Sequence, residues 1–162
     1  MTIRTAQPTD WPAMAAIYQQ GIDTGQATLE ISAPPPDQMA AKYLSAPQLV
    51  AEIDGSVAGY ALLSAVSGRC VYGGVAEVSI YIGADYRGQG VGQALLTELV
   101  THSEQHGFWT LQAGIFSENR ASVALHERCG FRVVGCREKL GQRLGVWHDI
   151  LLLERRSRVV GV

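Results

Sequence analysis

The apolar positions of this chain change spacing repeatedly, and each change marks an element. "IRTA" near the N-terminus reads as a short strand. Met14, Ile17 and Tyr18 then share one helical face, with Thr9 or Asp10 placed to cap that helix and Pro12 in its first turn. The run "SAPPPDQ", Ser32 to Gln38, interrupts the pattern because its prolines restrict the backbone, and a second helix is expected to follow through Met39, Tyr43 and Leu44.

"LVAEIDGSVAGYALLSAV" places two apolar strands around Asp54 and Gly55, a pair suited to the positive dihedrals of a tight hairpin turn. Val75 to Ile82 forms another strand. From Gly90 to His106, the positions Val91, Leu95, Leu96, Leu99 and Val100 recur at helical spacing, and Gly107 ends the run. "WTLQAGIF" is a further strand, Arg120 to Cys129 a shorter helix stopping at Gly130, and "FRVVGCRE" and "GVWHDILLLE" are the last two strands. Helices alternate with strands while hairpins remain, so the fold class is α/β (α+β). A mixed, mostly antiparallel sheet with helices on both faces is expected, in one domain spanning residues 1–162.

Composition narrows the function. A length of 162 residues with 47% hydrophobic content suits one domain with a full core. Thirteen Lys and Arg against fifteen Asp and Glu give a net charge of −2, so no basic surface for nucleic acid is expected. Neither a membrane-spanning run nor the regions of a signal peptide are present in the sequence, which points to a cytoplasmic protein without a membrane partner. Cys70, Cys129 and Cys136 make neither an even set nor a CxxC pair, so reduced, structural thiols and no metal are expected.

The chemistry is concentrated in "AEVSIYIGADYRGQGVGQALLTELV", Ala76 to Val100. A strand enters a helix through Gly88, Gly90 and Gly92. Unpaired amides and the helix dipole at such a junction form an anion site, and glycines let a phosphate approach the backbone. A nucleotide triphosphatase loop needs Lys and Ser or Thr after its last glycine, where this chain has Gln93 and Ala94. A dinucleotide fingerprint needs a third glycine where Gln93 stands.

The spacing Arg87-x-x-Gly90-x-Gly92 resembles the pyrophosphate loop of the GCN5-related N-acetyltransferases (GNAT), and "ENRASVALHERCGF" resembles their second cofactor element. The resemblance implies a sheet of about seven strands and acetyl-CoA as co-substrate. It places acetyl-CoA on Ile80, Tyr81 and Ile82 of the strand, on Arg87, Gly88, Gln89, Gly90, Val91, Gly92 and Gln93 of the loop, and on Asn119 and Ser122. Asn119 also suits a helix cap.

"IYQQGIDTGQATLE", "RCVYGGVAEVSIYI" and "GVWHDILLLERR" are similar, over nearly the full chain, to the phosphinothricin, methionine sulfoximine and arsinothricin acetyltransferases. That group acetylates the α-amino group of small glutamate-like amino acids and works as a homodimer. Its likeness implies acceptor contacts at Leu29, Glu30, Arg69, Tyr72 and Ser79. Leu29 stands where the group has Phe, and Gly73 follows Tyr72 where many members have Arg, which changes the pocket and removes a positive charge.

An ammonium group cannot attack a thioester until a base takes its proton. Glu77 is the only acid between Asp54 and Asp85 and lies in an apolar strand, where burial is expected to raise its pKa. By resemblance, strand amides around Ile80 to Ile82 supply the oxyanion donors, and His126 stands where many relatives carry the acid that helps the thiolate leave. Two other functions use the same elements: modification of protein N-termini or lysines, and non-catalytic sensing of coenzyme A, against which Glu77 argues.

Overall fold

A computed structural model describes residues 1–162. Seven strands form one sheet: β1 (Thr2–Thr5), β2 (Gln48–Ile53), β3 (Ser56–Ala65), β4 (Val75–Ile82), β5 (Thr110–Phe116), β6 (Arg132–Arg143) and β7 (Val146–Arg156). Their order is β1-β2-β3-β4-β5-β7-β6, and only the β4–β5 pair is parallel. The helices are α1 (Trp11–Asp23), α2 (Pro36–Ala40), α3 (Val91–Gln105) and α4 (Arg120–Arg128). The β2–β3 turn has φ of 50° at Asp54 and 76° at Gly55, the two positive values a two-residue hairpin turn requires.

Alternation along the strands divides the core between the two faces of the sheet. Ala76, Val78, Ile80 and Ile82 of β4 join Leu95, Leu96 and Leu99 of α3 on one face. Tyr81 packs on the other with Tyr60, Leu62 and the α1 residues Met14, Ile17 and Ile22. Glu77 and Ser79 share Tyr81's face, so period two delivers the one acid of β4 to the α1 side. The expected helical stripe of α3 is the buried one: Val91, Leu95, Leu96, Leu99 and Val100 are all enclosed.

Four expectations are corrected. The helix after the prolines stops at Ala40, because Tyr43 joins the α1-side core while Leu44 joins the α3-side core. Consecutive side chains on opposite faces require extended backbone, and Leu44 N–H accordingly donates to Leu63 O at 2.8 Å. Asp10 does precede α1, yet its carboxylate accepts from no amide of that helix. It accepts instead from Arg4 Nη1 at 2.7 Å, Arg4 Nη2 at 3.0 Å and Gln7 N–H at 2.7 Å, and the Arg4 guanidinium holds it below the usual carboxylate range.

The third correction concerns β6, which runs to Arg143 and not to Glu138. It is an edge strand exposed along most of its length, so no buried face imprints an alternating pattern on its sequence. The fourth concerns the thiols: all three cysteines are free, but Cys70 and Cys136 are exposed and belong to no core. No helix is long and apolar enough to cross a membrane.

Candidate active site

β4 and β5 pair only at Val75↔Thr110, Ala76↔Leu111 and Glu77↔Gln112. Beyond Glu77 they part: β4 stays with β3 as far as Ile82↔Gly59, and β5 stays with β7 as far as Phe116↔Ile150. A cleft of about 930 Å³ occupies the opening. Its walls include both parted strands, the segment Gln26 to Glu30, the α3 entry and α4.

The α3 entry is shaped by conformation. Gly88 has φ of 72° and Gly90 of 82°, with open space around both Cα atoms, so glycine answers a left-handed backbone there and no crowding. Gly90 occupies the N-cap position and no side chain caps the helix. The first internal bond runs from Ala94 N–H to Gly90 O, 3.1 Å, which leaves the amides of Val91, Gly92 and Gln93 without partners inside the chain. With the positive end of the α3 dipole they form an anion site opening on the cleft. Two side chains brace the loop: Arg87 Nε donates to Ile82 O at 3.1 Å and Gln89 Nε2 to Asp85 O at 2.7 Å. Gln89 is thereby turned away from the cleft wall, which Arg87, Gly88, Gly90, Gly92 and Gln93 do form.

Asn119 begins α4 as its cap, Oδ1 accepting from Ser122 N–H at 3.2 Å, while its Nδ2 donates to Gln26 O at 3.2 Å. Two turns on, His126 is 2% exposed, with its ring edge-on to Phe131. Nδ1 lies 2.8 Å from Ser122 O, and a carbonyl only accepts, so Nδ1 carries the proton and Nε2 the lone pair. Nε2 is enclosed and without a partner. Burial holds this imidazole below its ordinary pKa. An acid role needs the imidazolium form, which burial disfavours; the neutral ring at this position is a proton acceptor.

Glu77 is half-buried and lines the cleft, not enclosed as an apolar strand suggested. Gln112 Nε2 donates to its Oε2 at 3.1 Å. Ser64 faces it across the β3–β4 ladder, and the absent side chain of Gly114 leaves room next to Oε1. Ser79, Tyr81, Tyr43 and Tyr18 line the same wall. Burial raises the phenols of Tyr18, Tyr43 and Tyr81, so all three stay protonated donors at neutral pH.

Leu29 and Glu30 line the cleft, whereas Arg69 and Tyr72 do not. Those two lie in the exposed turn that follows β3, the Arg69 guanidinium 5.5 Å from the Tyr72 ring centroid. The loop between β3 and β4 carries them off the wall that Ser64 and Glu77 form. Sequence reasoning missed Lys42, Tyr43, Gln112, Arg137 and Leu140, all of which line the cleft. For Gln112 a signal existed, a polar residue midway in the apolar run "WTLQAGIF"; the others come from turns and an edge strand without periodicity.

A parted β4–β5 pair whose mouth leads to bare helix amides, with a carboxylate at the fork, is an arrangement suited to an acyltransferase. The chain belongs to the Acetyltransferase (GNAT) family, whose profile matches residues 14–131, and it is an acetyltransferase. It is 39% identical over 160 residues to the phosphinothricin N-acetyltransferase of Alcaligenes faecalis, covering 95% of this chain and 81% of that one. To the L-methionine sulfoximine/L-methionine sulfone acetyltransferase of Salmonella typhimurium it is 31% identical, covering 95% and 93%. The crystal structure of a phosphinothricin acetyltransferase from Sinorhizobium meliloti in complex with acetyl-CoA matches with a TM-score of 0.87 and 34% identity, covering 96% of this chain and 87% of that one.

Proposed function

We propose that this protein uses acetyl-CoA to acetylate the α-amino group of a small amino acid of the phosphinothricin, methionine sulfoximine or sulfone, or arsinothricin type. The observation that carries the reading is the alignment of three features along one cleft: the partnerless amides of Val91, Gly92 and Gln93, the unpaired edge of β4 past Glu77, and Glu77 itself. The glycine-shaped loop fits a diphosphate, since its N–H groups are unspent and nothing stands over Gly88 or Gly90. Bound acetyl-CoA supplies an activated thioester carbonyl. Around it, the chain holds the phosphates through residues 87–93, with Asn119 and Ser122 on the opposite wall.

Glu77, directly or through a water, takes the proton of the acceptor's ammonium, leaving the amine lone pair free to attack. Amides in the segment Ile80 to Ile82 hold the negative charge that develops on the carbonyl oxygen as the C–N bond forms; the C–S bond then breaks, coenzyme A leaves as its thiolate, and the proton that the nitrogen loses balances the thiolate's uptake of one. The Nε2 lone pair of His126 is the second proton-accepting group of the cleft, and Ser79 and the raised phenols donate hydrogen bonds to the acceptor. Leu29 and Glu30 border the acceptor end.

The chain acts as one domain in the cytoplasm and as a homodimer. Support for the dimer comes from the unpaired β6 edge and the exposed Val133, Val134, Leu144, Val146 and Trp147 on the β6–β7 arm. The test of function is thiol release from acetyl-CoA with phosphinothricin, methionine sulfoximine, methionine sulfone, arsinothricin, common amino acids and a peptide. Turnover confined to the small amino acids is the expected result. Turnover of the peptide alone moves the protein to another acceptor class, and coenzyme binding without turnover makes it a sensor.

A further inference from the structure

Between Arg137↔Ile150 and Gly141↔His148 the β6–β7 ladder shifts register, because β6 carries extra residues. Lys139 lies in this bulge with φ of 46°, and its N–H donates to Asp149 Oδ1 at 2.8 Å, which holds the irregular backbone in place. Where the ladder resumes, Gly141 turns its bare Cα to Leu29. A Cβ at position 141 would stand 2.2 Å from Leu29 Cδ1 and 3.3 Å from its Cγ.

Leu29 belongs to the segment that leaves the end of α1 and crosses to α4 and β6. Its main chain is tied at Gln26, whose carbonyl accepts from Asn119 Nδ2 at 3.2 Å, and the last turn of α1 from which it leaves is tied to β6, Arg143 Nη2 donating to Ile22 O at 3.1 Å. The Tyr18 and Thr28 hydroxyls meet at 3.4 Å. Leu29 lines the cleft from this segment and Leu140 lines it from the bulge, so the two elements close one end together.

We propose that Gly141 is a specificity-determining position, the seat onto which the Leu29 side chain sinks and which thereby fixes the room left for the acceptor's head group. The inference rests on the acetyltransferase reading above. Any side chain at 141 overfills the contact. With the main chain of the segment tied down, the side chain of Leu29 is the part that yields, and it yields into the cleft. Gly141 touches neither acceptor nor coenzyme. It acts as a positioning residue, and the bulge held by Asp149 is what aims it.

The test compares L-methionine sulfoximine, with its tetrahedral head, and slimmer L-methionine as acceptors for the wild type, Gly141→Ala, Leu29→Ala and the double variant. For Gly141→Ala, kcat/KM for the sulfoximine falls at least tenfold relative to methionine, mainly through KM, with the KM of acetyl-CoA unchanged. In the Leu29→Ala background the same substitution has no effect, because the clashing atoms are gone. An unaltered ratio, an equal loss on both acceptors and acetyl-CoA, or additive effects in the double variant overturns the seat. A wild type inactive on both acceptors defeats the acceptor class proposed above, and then the crystal structure of Gly141→Ala decides the seat by itself. Leu29 displaced into the cleft supports it, and Leu29 unmoved overturns it.

Discussion

Gln112 Nε2 donates to Glu77 Oε2 at 3.1 Å at the last position where β4 and β5 remain paired. The carboxylate is therefore held at the fork by the neighbouring strand, with one oxygen engaged and Oε1 on the side that Gly114 leaves open. That geometry gives Glu77 a fixed aim into the cleft, which supports the proposed role as base.

Glu77→Gln keeps the shape and removes the basicity. Turnover should fall about 10²- to 10⁴-fold, the usual contribution of general-base catalysis, with acetyl-CoA affinity unchanged. Gln112→Leu, which only releases the aim of the carboxylate, should lower kcat by much less. Steady-state kinetics with coenzyme titration by calorimetry measures both. Full activity in Glu77→Gln removes the residue from the mechanism.

Gly90→Ala puts a Cβ on a residue with φ of 82° at the N-cap of α3. The strain of a left-handed non-glycine residue is about 1–2 kcal/mol, and any relaxation swings the amides of Val91 and Gly92 off the cleft. The KM of acetyl-CoA should rise about tenfold or more, which corresponds to about 1.4 kcal/mol of lost binding, while acceptor KM changes little. A coenzyme KM equal to that of the wild type contradicts the phosphate-loop assignment.

His126 links the site to stability. Its pKa is depressed in the folded protein by burial, so below the ordinary imidazole value of 6.5 the unfolded chain binds a proton that the native chain resists. Stability therefore rises with pH in this window: the contribution is complete above about pH 6.5 and is lost as pH falls through the folded value. His126→Phe should flatten urea-measured stability between pH 7 and 5 by up to about 1.4 kcal/mol per pH unit. An unchanged slope contradicts the buried neutral ring.

Asp10 anchors the start of α1 to β1 through Arg4 in a paired, mostly buried contact. Asp10→Ala removes two charge-assisted hydrogen bonds and the bond from Gln7 N–H, and should cost about 2–3 kcal/mol. Chemical denaturation measures this, and a loss below about 0.5 kcal/mol, typical of a neutral surface change, contradicts the structural role.

Elements with a buried face were legible in the sequence. The stripe of α3, the alternation in β4 and the Asp54–Gly55 turn each follow from one local rule, and β4 with the α3 entry carries most of the residues proposed to hold the coenzyme. Residues placed by tertiary contact were not legible. Tyr43 and Leu44 look helical in spacing but split between two cores, β6 has no buried face to reveal its length, and the crossing of Gln26 to Asn119 joins positions far apart in the chain. Arg69 and Tyr72 illustrate the limit of motif transfer, since likeness in sequence put them at the acceptor while the fold of a single chain holds them on an exposed turn.

The central claim is that the amides following Gly88 grip the diphosphate of acetyl-CoA. A cocrystal structure with the coenzyme tests it most directly. The account predicts diphosphate oxygens about 2.7–3.2 Å from N–H groups between Gly88 and Gln93, with the thioester on the edge of β4 beyond Glu77. A diphosphate seated anywhere else, with those amides free of it, contradicts the account.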